Sequence, residues 1–306
     1  MRTVRKARTV GGRLRRQLSG AANFDSLPPE EAVAIGYQVV LGRSPDPVGR
    51  ADYVHRLATG ALDRREMVQA LWGSEEWIKS SRFSGRMLGY SIHMGRCEFI
   101  RSLPRAARIV DLGGTHLHND MGAMVGLGYP YPFEELVIVD LPADERHAIY
   151  RSDEVDREVQ TPLGPVRYRY HSMTDLSRFP DASVDLVYSG QSIEHVTPEE
   201  GAWVAAEVAR ILRPGGYFAL DTPNSRVTRL QQDEFIDPDH KVEYTLDELV
   251  DLLQGAGLQV LETKGLNLAL QSLASGVFDS DEVARNSGVY AEAADCYILC
   301  ALCRRP

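Results

Sequence analysis

The residues best suited to acid–base or metal chemistry fall in two short stretches, Ile193-Glu194-His195-Val196 and Asp237-Pro238-Asp239-His240. An imidazole near its unperturbed pKa of about 6.5 can take the proton of a hydroxyl, a task worth roughly 10²–10⁴ in rate. His195 and His240 are therefore candidate bases, with Glu194 and Asp239 beside them as groups that could orient or charge them. Glu194, Asp237 and Asp239 could instead hold a divalent cation, and an oxygen-rich set of that kind suits Mg2+. The plainer alternatives are a helix-start histidine at 195 and solvated loop acids at 237 and 239. A second group of residues points to a bound nucleotide-like molecule. Arg108-Ile109-Val110-Asp111-Leu112-Gly113-Gly114 reads as an apolar strand that ends in an acid and turns through glycines. Leu136-Val137-Ile138-Val139-Asp140-Leu141 ends in an acid as well. In a doubly wound sheet the ligand lies past the carboxyl ends of the strands, where glycine admits a close backbone approach and a carboxylate can accept ribose hydroxyls.

Those residues need a scaffold of alternating strands and helices to bring them together. Strands are expected over 109–112, 136–140, 166–171, 184–189, 217–221, 258–266 and 296–303. Amphipathic helices are expected over 199–211, where Trp203, Val204 and Val208 mark the apolar face, and over 245–255, started by Thr245. The fold class is α/β: a Rossmann-like sheet of seven strands with an antiparallel last strand, over residues 82–306. A connecting helix over 82–103 places Tyr90, His93, Cys97 and Ile100 near one face. Residues 26–81 read as a separate small helical domain. Its helices begin at Pro28 and continue over 48–59, 63–71 and 74–80, with Ile35 and Val39 on the apolar face of the first. Leu57, Leu62, Met67, Leu71, Trp72, Trp77 and Ile78 are its candidate core. Residues 1–25 read as a disordered basic tail, and 267–294 as a long insertion between the last two strands.

Four blocks in order carry a resemblance: Phe179-Pro180-Asp181-Ala182-Ser183-Val184-Asp185-Leu186-Val187, Ile193-Glu194-His195-Val196, Leu212-Arg213-Pro214-Gly215-Gly216, and His240 to Leu249. Over about residues 85–303 the chain resembles the class I S-adenosylmethionine-dependent methyltransferases. The resemblance implies that S-adenosylmethionine is the cofactor, and that Asp111, Gly113 and Gly114 line its methionine half. It implies Asp140 on the ribose, Leu141 against the adenine, Met173 and Thr174 at the adenine edge, and Ser189, Gly190 and Gln191 under the sulfonium. The family turn reads Asp-x-Gly-x-Gly-x-Gly. Here Thr115 and Leu117 replace the second and third glycines, Gly114 is an extra one, and the loop Thr115-His116-Leu117-His118-Asn119-Asp120 is unusually polar. The stretch from Val40-Leu41-Gly42-Arg43-Ser44-Pro45 to Leu71-Trp72-Gly73-Ser74-Glu75-Glu76-Trp77 resembles the domain of unknown function DUF4214, which often accompanies enzymes acting on glycans.

Together these readings favour O-methylation of a hydroxyl on a sugar or glycan precursor, an oligosaccharide or other small molecule. Among sugar enzymes the chain is compatible with those that 1-O-methylate methylmannose polysaccharide precursors. The alternatives are methylation of a lipid or other secondary-metabolite hydroxyl, and a scaffold that binds S-adenosylmethionine without catalysis. One wall of the acceptor site is expected from Asp221-Thr222-Pro223-Asn224 and 226–236, and a lid from 267–294 with Tyr90 and His93. Tyr90, Tyr129, Tyr131, Tyr244 and Phe278 are aromatic groups that could stack on a flat acceptor. A nicotinamide enzyme is disfavoured because the turn lacks G-x-G-x-x-G. A net charge of -9 argues against nucleic acid as partner, and no apolar run is long enough to span a bilayer. A cytoplasmic location is expected, and a homodimer stays open. Cys97, Cys296, Cys300 and Cys303 read as packing thiols, not metal ligands.

Overall fold

Runs such as Leu136-Val137-Ile138-Val139 are apolar at successive positions, as strands buried on both faces must be. They form the centre of one nine-stranded sheet, which the computed structural model builds from β1 Arg108–Leu112, β2 Glu135–Asp140, β3 Arg157–Thr161, β4 Gly164–Tyr170, β5 Val184–Gly190, β6 Leu212–Pro223, β7 Gln259–Leu268, β8 Val289–Tyr290 and β9 Cys296–Arg304. The structure describes residues 27–41, 43–72, 74, 76, 81–116, 120–142 and 156–306. The tail expected to be disordered, Trp77, Ile78, Leu117 and His118 lie outside them, as does most of the helix expected at 74–80. The chain divides into two compact units, Met1–Gly85 and Arg86–Pro306.

The strand order is β3-β4-β2-β1-β5-β6-β9-β7-β8. From β4 to β6 neighbouring strands are parallel, and β9 runs antiparallel between β6 and β7. The seven expected strands are all present, and the sheet gains two more at its edges. β3 forms an antiparallel hairpin with β4, and the two-residue β8 pairs with β7 at Gly265 and Leu266. Neither has a hydrophobic run to announce it: β3 reads Arg-Glu-Val-Gln-Thr, with alternate residues exposed, as an edge strand tolerates. Gly164 starts β4 at φ +150°, with the Phe133 carbonyl where a Cβ would stand. The order reverses at β1, so the crevice such sheets use for ligands opens past the carboxyl ends of β1 and β5.

Helices cover both faces. In the first unit α1 Pro29–Val40, α2 Pro47–Ala58 and α3 Arg64–Trp72 close over Ala32, Val33, Tyr37, Val40, Leu57, Met67 and Leu71. Ile35 is only half-buried; Ala32, Val33 and Tyr37 supply the inward face of α1. The second unit holds α4 Ser81–Arg101 (its first residues belong to the first unit), α5 Ala123–Gly126, α6 Pro198–Ile211, α7 Ser225–Gln231, α8 Leu246–Gly255, α9 Leu270–Ser275 and α10 Ser280–Arg285. Thr197 with Glu200 and Thr245 with Glu248 form capping boxes that fix the starts of α6 and α8. Two details, at Trp203 and on α4, differ from expectation. Trp203 is largely exposed on α6, its indole N–H held by the Thr174 carbonyl. Tyr90 and His93 face solvent on α4, whose buried side carries Leu88, Ser91, Cys97, Phe99 and Ile100. Cys300 and Cys303 sit three apart on β9, so they point into the two different cores and could not share an ion. Among the described residues no helix is long and apolar enough to cross a membrane.

Candidate functional site

The described residues just past the carboxyl ends of β1, β2 and β5 are tied to their neighbours. Gly113, at φ +73°, donates its N–H to the Val139 carbonyl at 2.8 Å, and Thr115 N–H reaches Asp140 Oδ2 at 3.2 Å. The other oxygen of Asp140 accepts Leu141 N–H at 2.8 Å, which keeps this half-buried carboxylate at the mouth of the crevice. Ser192 donates its hydroxyl to the Leu112 carbonyl at 2.8 Å and pairs with the buried Ser189 hydroxyl, so β5 is locked to the β1 turn. A Cβ on Gly113 would stand 2.7 Å from that of Ser192, and one on Gly114 would enter the Asp111 carboxyl. The turn is therefore close-packed although two of the family's glycine positions are filled by Thr115 and Leu117.

Asp111 lies beneath this turn. Its carboxyl is buried, accepts Met124 N–H at 3.3 Å through Oδ2, and leaves Oδ1 without a partner. Burial pushes its pKa up to about 8, against the opposing effect of the Met124 hydrogen bond. Thr115 Oγ1 is likewise buried and unpartnered. Met173 packs at the edge of the core and Thr174 hydrogen-bonds Ser172, both past the end of β4.

A charged network stands behind Gly190. Arg96 of α4 pairs with Asp221 at 2.8 Å; the Tyr188 hydroxyl also donates to Asp221, and Gln191 Nε2 donates to it at 2.9 Å. Gln191, a non-glycine residue at φ +55°, is held in that conformation by this bond and by its N–H to the Asp221 carbonyl. Sequence marks Asp221 only as a wall and does not mark Arg96 or Tyr188, since a charged residue on the packed side of α4 carries no apolar signal.

The acid–imidazole residues do converge. Lys241 N–H and Val242 N–H bind the Glu194 carbonyl at 2.8 and 3.3 Å, which draws the 237–243 loop onto the short turn Ile193–His195. Glu194, His195 and His240 each then present one ligand atom, all within 4.8 Å of one another. Glu194 is fully buried: Thr222 donates to Oε2 at 2.9 Å and Oε1 has no partner. Burial pushes its pKa up to about 7. His240 Nδ1 lies 2.8 Å from Glu243 Oε1, and Glu243 is held in turn by the Thr228 hydroxyl and Ile236 N–H. Burial opposes a charge on His240, but the Glu243 hydrogen bond and the nearby Glu194 outweigh it and raise its pKa. Burial and the neighbouring His240 lower that of His195. Asp237 and Asp239 do not join Glu194 as a carboxylate triad. The Asp237 side chain caps Asp239 N–H, and Asp239 meets His195 through its backbone carbonyl, 3.4 Å from Nδ1. The aromatic candidates disperse: Tyr129 and Tyr244 are buried, Phe278 packs on Tyr297, and Tyr90 and Tyr131 are exposed.

A separate hollow of about 400 Å³ lies over the sheet face near the amino ends of β1, β2 and β5, lined by Arg108, Arg167, Arg169 and Arg178 among others. Arg167 is already paired with Glu135 and Glu158, and the hollow is away from the carboxyl ends where the loops converge.

Comparison with known proteins agrees with this layout. Residues 124–220 match the methyltransferase domain family, and residues 24–81 match the domain of unknown function DUF4214. A solved S-adenosylmethionine-dependent methyltransferase from Thermotoga maritima superposes with a TM-score of 0.51 at 17% identity, covering 74% of this chain and 97% of its own. The α/β unit has the fold of the S-adenosylmethionine-dependent methyltransferases. A Mycolicibacterium smegmatis protein named as a probable S-adenosylmethionine-dependent methyltransferase is 39% identical over 101 residues, covering 33% of this chain and 38% of its own. A Mycobacterium tuberculosis protein of like name is 33% identical over 140 residues, covering 44% of this chain and 48% of its own. The chain thus spans less than half the length of these relatives. The comparisons imply S-adenosylmethionine as the cofactor, and the residues present fit it: a close-packed glycine turn, a carboxylate at the mouth, and two buried uncommitted oxygens at Asp111 and Thr115.

Proposed function

We propose that the chain is an S-adenosylmethionine-dependent methyltransferase that transfers the methyl group to a hydroxyl of a sugar or glycan precursor. The observation that carries the reading is the meeting, at the ends of adjacent strands, of a nucleoside-type turn joined to Asp140 and an acid–imidazole cluster in which Glu194 and His240 are buried and His195 is exposed. Asp140 would hold the ribose, with Leu141, Met173 and Thr174 around the adenine. Gly113, Gly114 and Thr115, with Asp111 below, would hold the methionyl half, and Ser189, Gly190 and Gln191 would underlie the sulfonium. The reaction is an in-line displacement: the carbon–sulfur bond breaks as the carbon–oxygen bond forms, and S-adenosylhomocysteine leaves. A neutral hydroxyl is a weak nucleophile, so its proton must be given up at the cluster, while the fixed loops align acceptor, methyl and sulfur. The glycan part of the reading draws on the match to DUF4214 and on the polar acceptor end, which also suits the methylmannose-type precursors.

Calorimetry with S-adenosylmethionine, followed by a labelled-methyl assay on a panel of sugars, lipids and other hydroxylic acceptors, tests this. Asp140→Ala is expected to abolish donor binding. His195→Ala and His240→Ala are expected to keep donor affinity within about threefold and to lower turnover at least tenfold, the scale of lost acid–base assistance. Full donor affinity in the Asp140 variant would overturn the site assignment. Tight donor binding with transfer to no acceptor would make the protein a binding scaffold instead.

A further inference from the structure

We infer that Glu194, His195 and His240 form a binding site for a divalent first-row ion of the Mn2+, Co2+ or Zn2+ type, set where the acceptor is held. The acceptor role rests on the methyltransferase reading; the ion site does not.

Three observations carry it. First, one atom from each of the three side chains comes within 4.8 Å of the others, although the residues come from two loops. An ion with bonds near 2.1 Å holds adjacent ligands roughly 3.0 to 3.4 Å apart, so small side-chain shifts close the set around it. Second, Glu194 is wholly buried with Oε1 accepting nothing, a state that Asp111 Oδ1 shares among the described residues, whereas both oxygens of the buried Glu243 and Glu282 are taken up. A buried oxygen left bare is costly, and a cation is the strongest group that could answer it. Third, the far side of every member is already fixed. Thr222 holds Oε2 of Glu194, Glu243 takes Nδ1 of His240, and the Asp239 carbonyl faces Nδ1 of His195. Each imidazole is thereby left with Nε2 as its open nitrogen, and the carboxylate behind His240 is the outer-shell arrangement that raises the basicity of a ligating histidine.

Two imidazoles and one carboxylate are a borderline donor set, which Mn2+, Co2+ and Zn2+ accept and Mg2+, with its demand for oxygen, does not favour. The oxygen-only set of Glu194, Asp237 and Asp239 with Mg2+ is thus replaced by a mixed one. Three protein ligands leave further positions of the ion open, and the exposure of His195 gives solvent and acceptor a way to the cluster. Two neighbouring oxygens of an acceptor fit those positions, so the substrate class is a vicinal diol or a hydroxyl next to a carbonyl. With an ion held there, His195 and His240 would serve as ligands in place of bases, and a bound hydroxyl, made more acidic as metal-bound water is, would lose its proton to solvent. The resulting oxygen takes the methyl group as the carbon–sulfur bond breaks.

The test uses the 306-residue chain, stripped with a chelator and dialysed. Mn2+ titration followed by electron paramagnetic resonance should show one ion bound per chain, and Co2+ should give the visible absorption of a nitrogen-ligated site. His195→Ala, an exposed position with little risk to folding, and His240→Ala should each weaken Mn2+ binding at least tenfold. Glu243→Gln, a positioning change, should weaken it about tenfold, within the range measured for outer-shell partners. No uptake of Mn2+, Co2+ or Zn2+, or affinity unchanged in both histidine variants, would overturn the site. Calorimetry with S-adenosylmethionine on the stripped protein separates the two readings: ion binding without donor binding removes the methyltransferase assignment and leaves the ion site standing. In the labelled-methyl assay, methyl glycosides with a free vicinal diol should accept methyl only in metal-loaded protein. Equal transfer to glycosides lacking that diol would overturn the chelated acceptor.

Discussion

Removing the guanidinium of Arg96 would leave Asp221 fully buried with only Tyr188 and Gln191 to answer its charge. Breaking a buried pair from one side is costly because the partner's desolvation is no longer compensated. Arg96→Met is therefore expected to lower unfolding free energy by about 3–5 kcal/mol, read by chemical denaturation. Asp111 gives a second expectation at this scale. Its folded pKa of about 8 lies above that of an unfolded carboxyl, so the folded state binds the proton more tightly. The stability it contributes is present at low pH, where both states are protonated, and is lost as pH rises through about 8. Burial dominates the shift; the Met124 hydrogen bond and Arg96 oppose it, and Asp140 and Asp221 add to it. Denaturation midpoints across pH 5 to 9 should decline in the natural protein, and Asp111→Asn should flatten that decline. An unchanged slope would remove Asp111 as its source. The positions of Asp111 and Asp140 at strand ends are legible in sequence, because each closes an apolar run and Asp111 is followed by glycines. That Asp111 lies under the turn and Asp140 at its mouth is a matter of packing, which the motif does not encode.

At the scale of elements, α8 shows how a few residues set the geometry of the site. Thr245 caps its first turn and Glu248 reciprocates, and the strand-like bridge between Asn224 and Tyr244 anchors the chain just before it. The loop carrying His240 and Glu243 is thus fixed at one end by a helix cap and at the other by Glu194. Thr245→Ala is expected to cost about 1 kcal/mol of stability, the usual worth of a lost N-cap, measurable as a small drop in denaturation midpoint. The central strands and α6 and α8 are readable because their apolar periods are long and their caps strong. β3 and β8 are not, since an edge strand needs no apolar face, and α4 is misread at Tyr90 and His93. There the buried positions include Ser91, whose hydroxyl takes a bond from Asn267 Nδ2 at 2.7 Å; hydropathy cannot see a polar residue buried against the 267–294 insertion. The approach of His240 to Glu194 is equally hidden, because main-chain bonds from Lys241 and Val242 create it.

For the whole molecule, the residues assigned to donor and acceptor all lie within Arg86–Pro306, a unit with its own two cores. A fragment of residues 86–306 is accordingly expected to bind S-adenosylmethionine within about threefold of the full chain; loss of binding in a folded fragment would show that the helical unit is required. The position of β9 has a further consequence. It is the strand latest in order, yet it is hydrogen-bonded on both sides, to β6 and to β7. During synthesis β6 must wait with one edge bare, and β7 can join only the two-residue β8 until β9 emerges. The half of the sheet that supplies Asp221 and Thr222 therefore closes late, and nascent chains stalled just short of Cys296 should be sensitive to proteases and prone to edge-to-edge association.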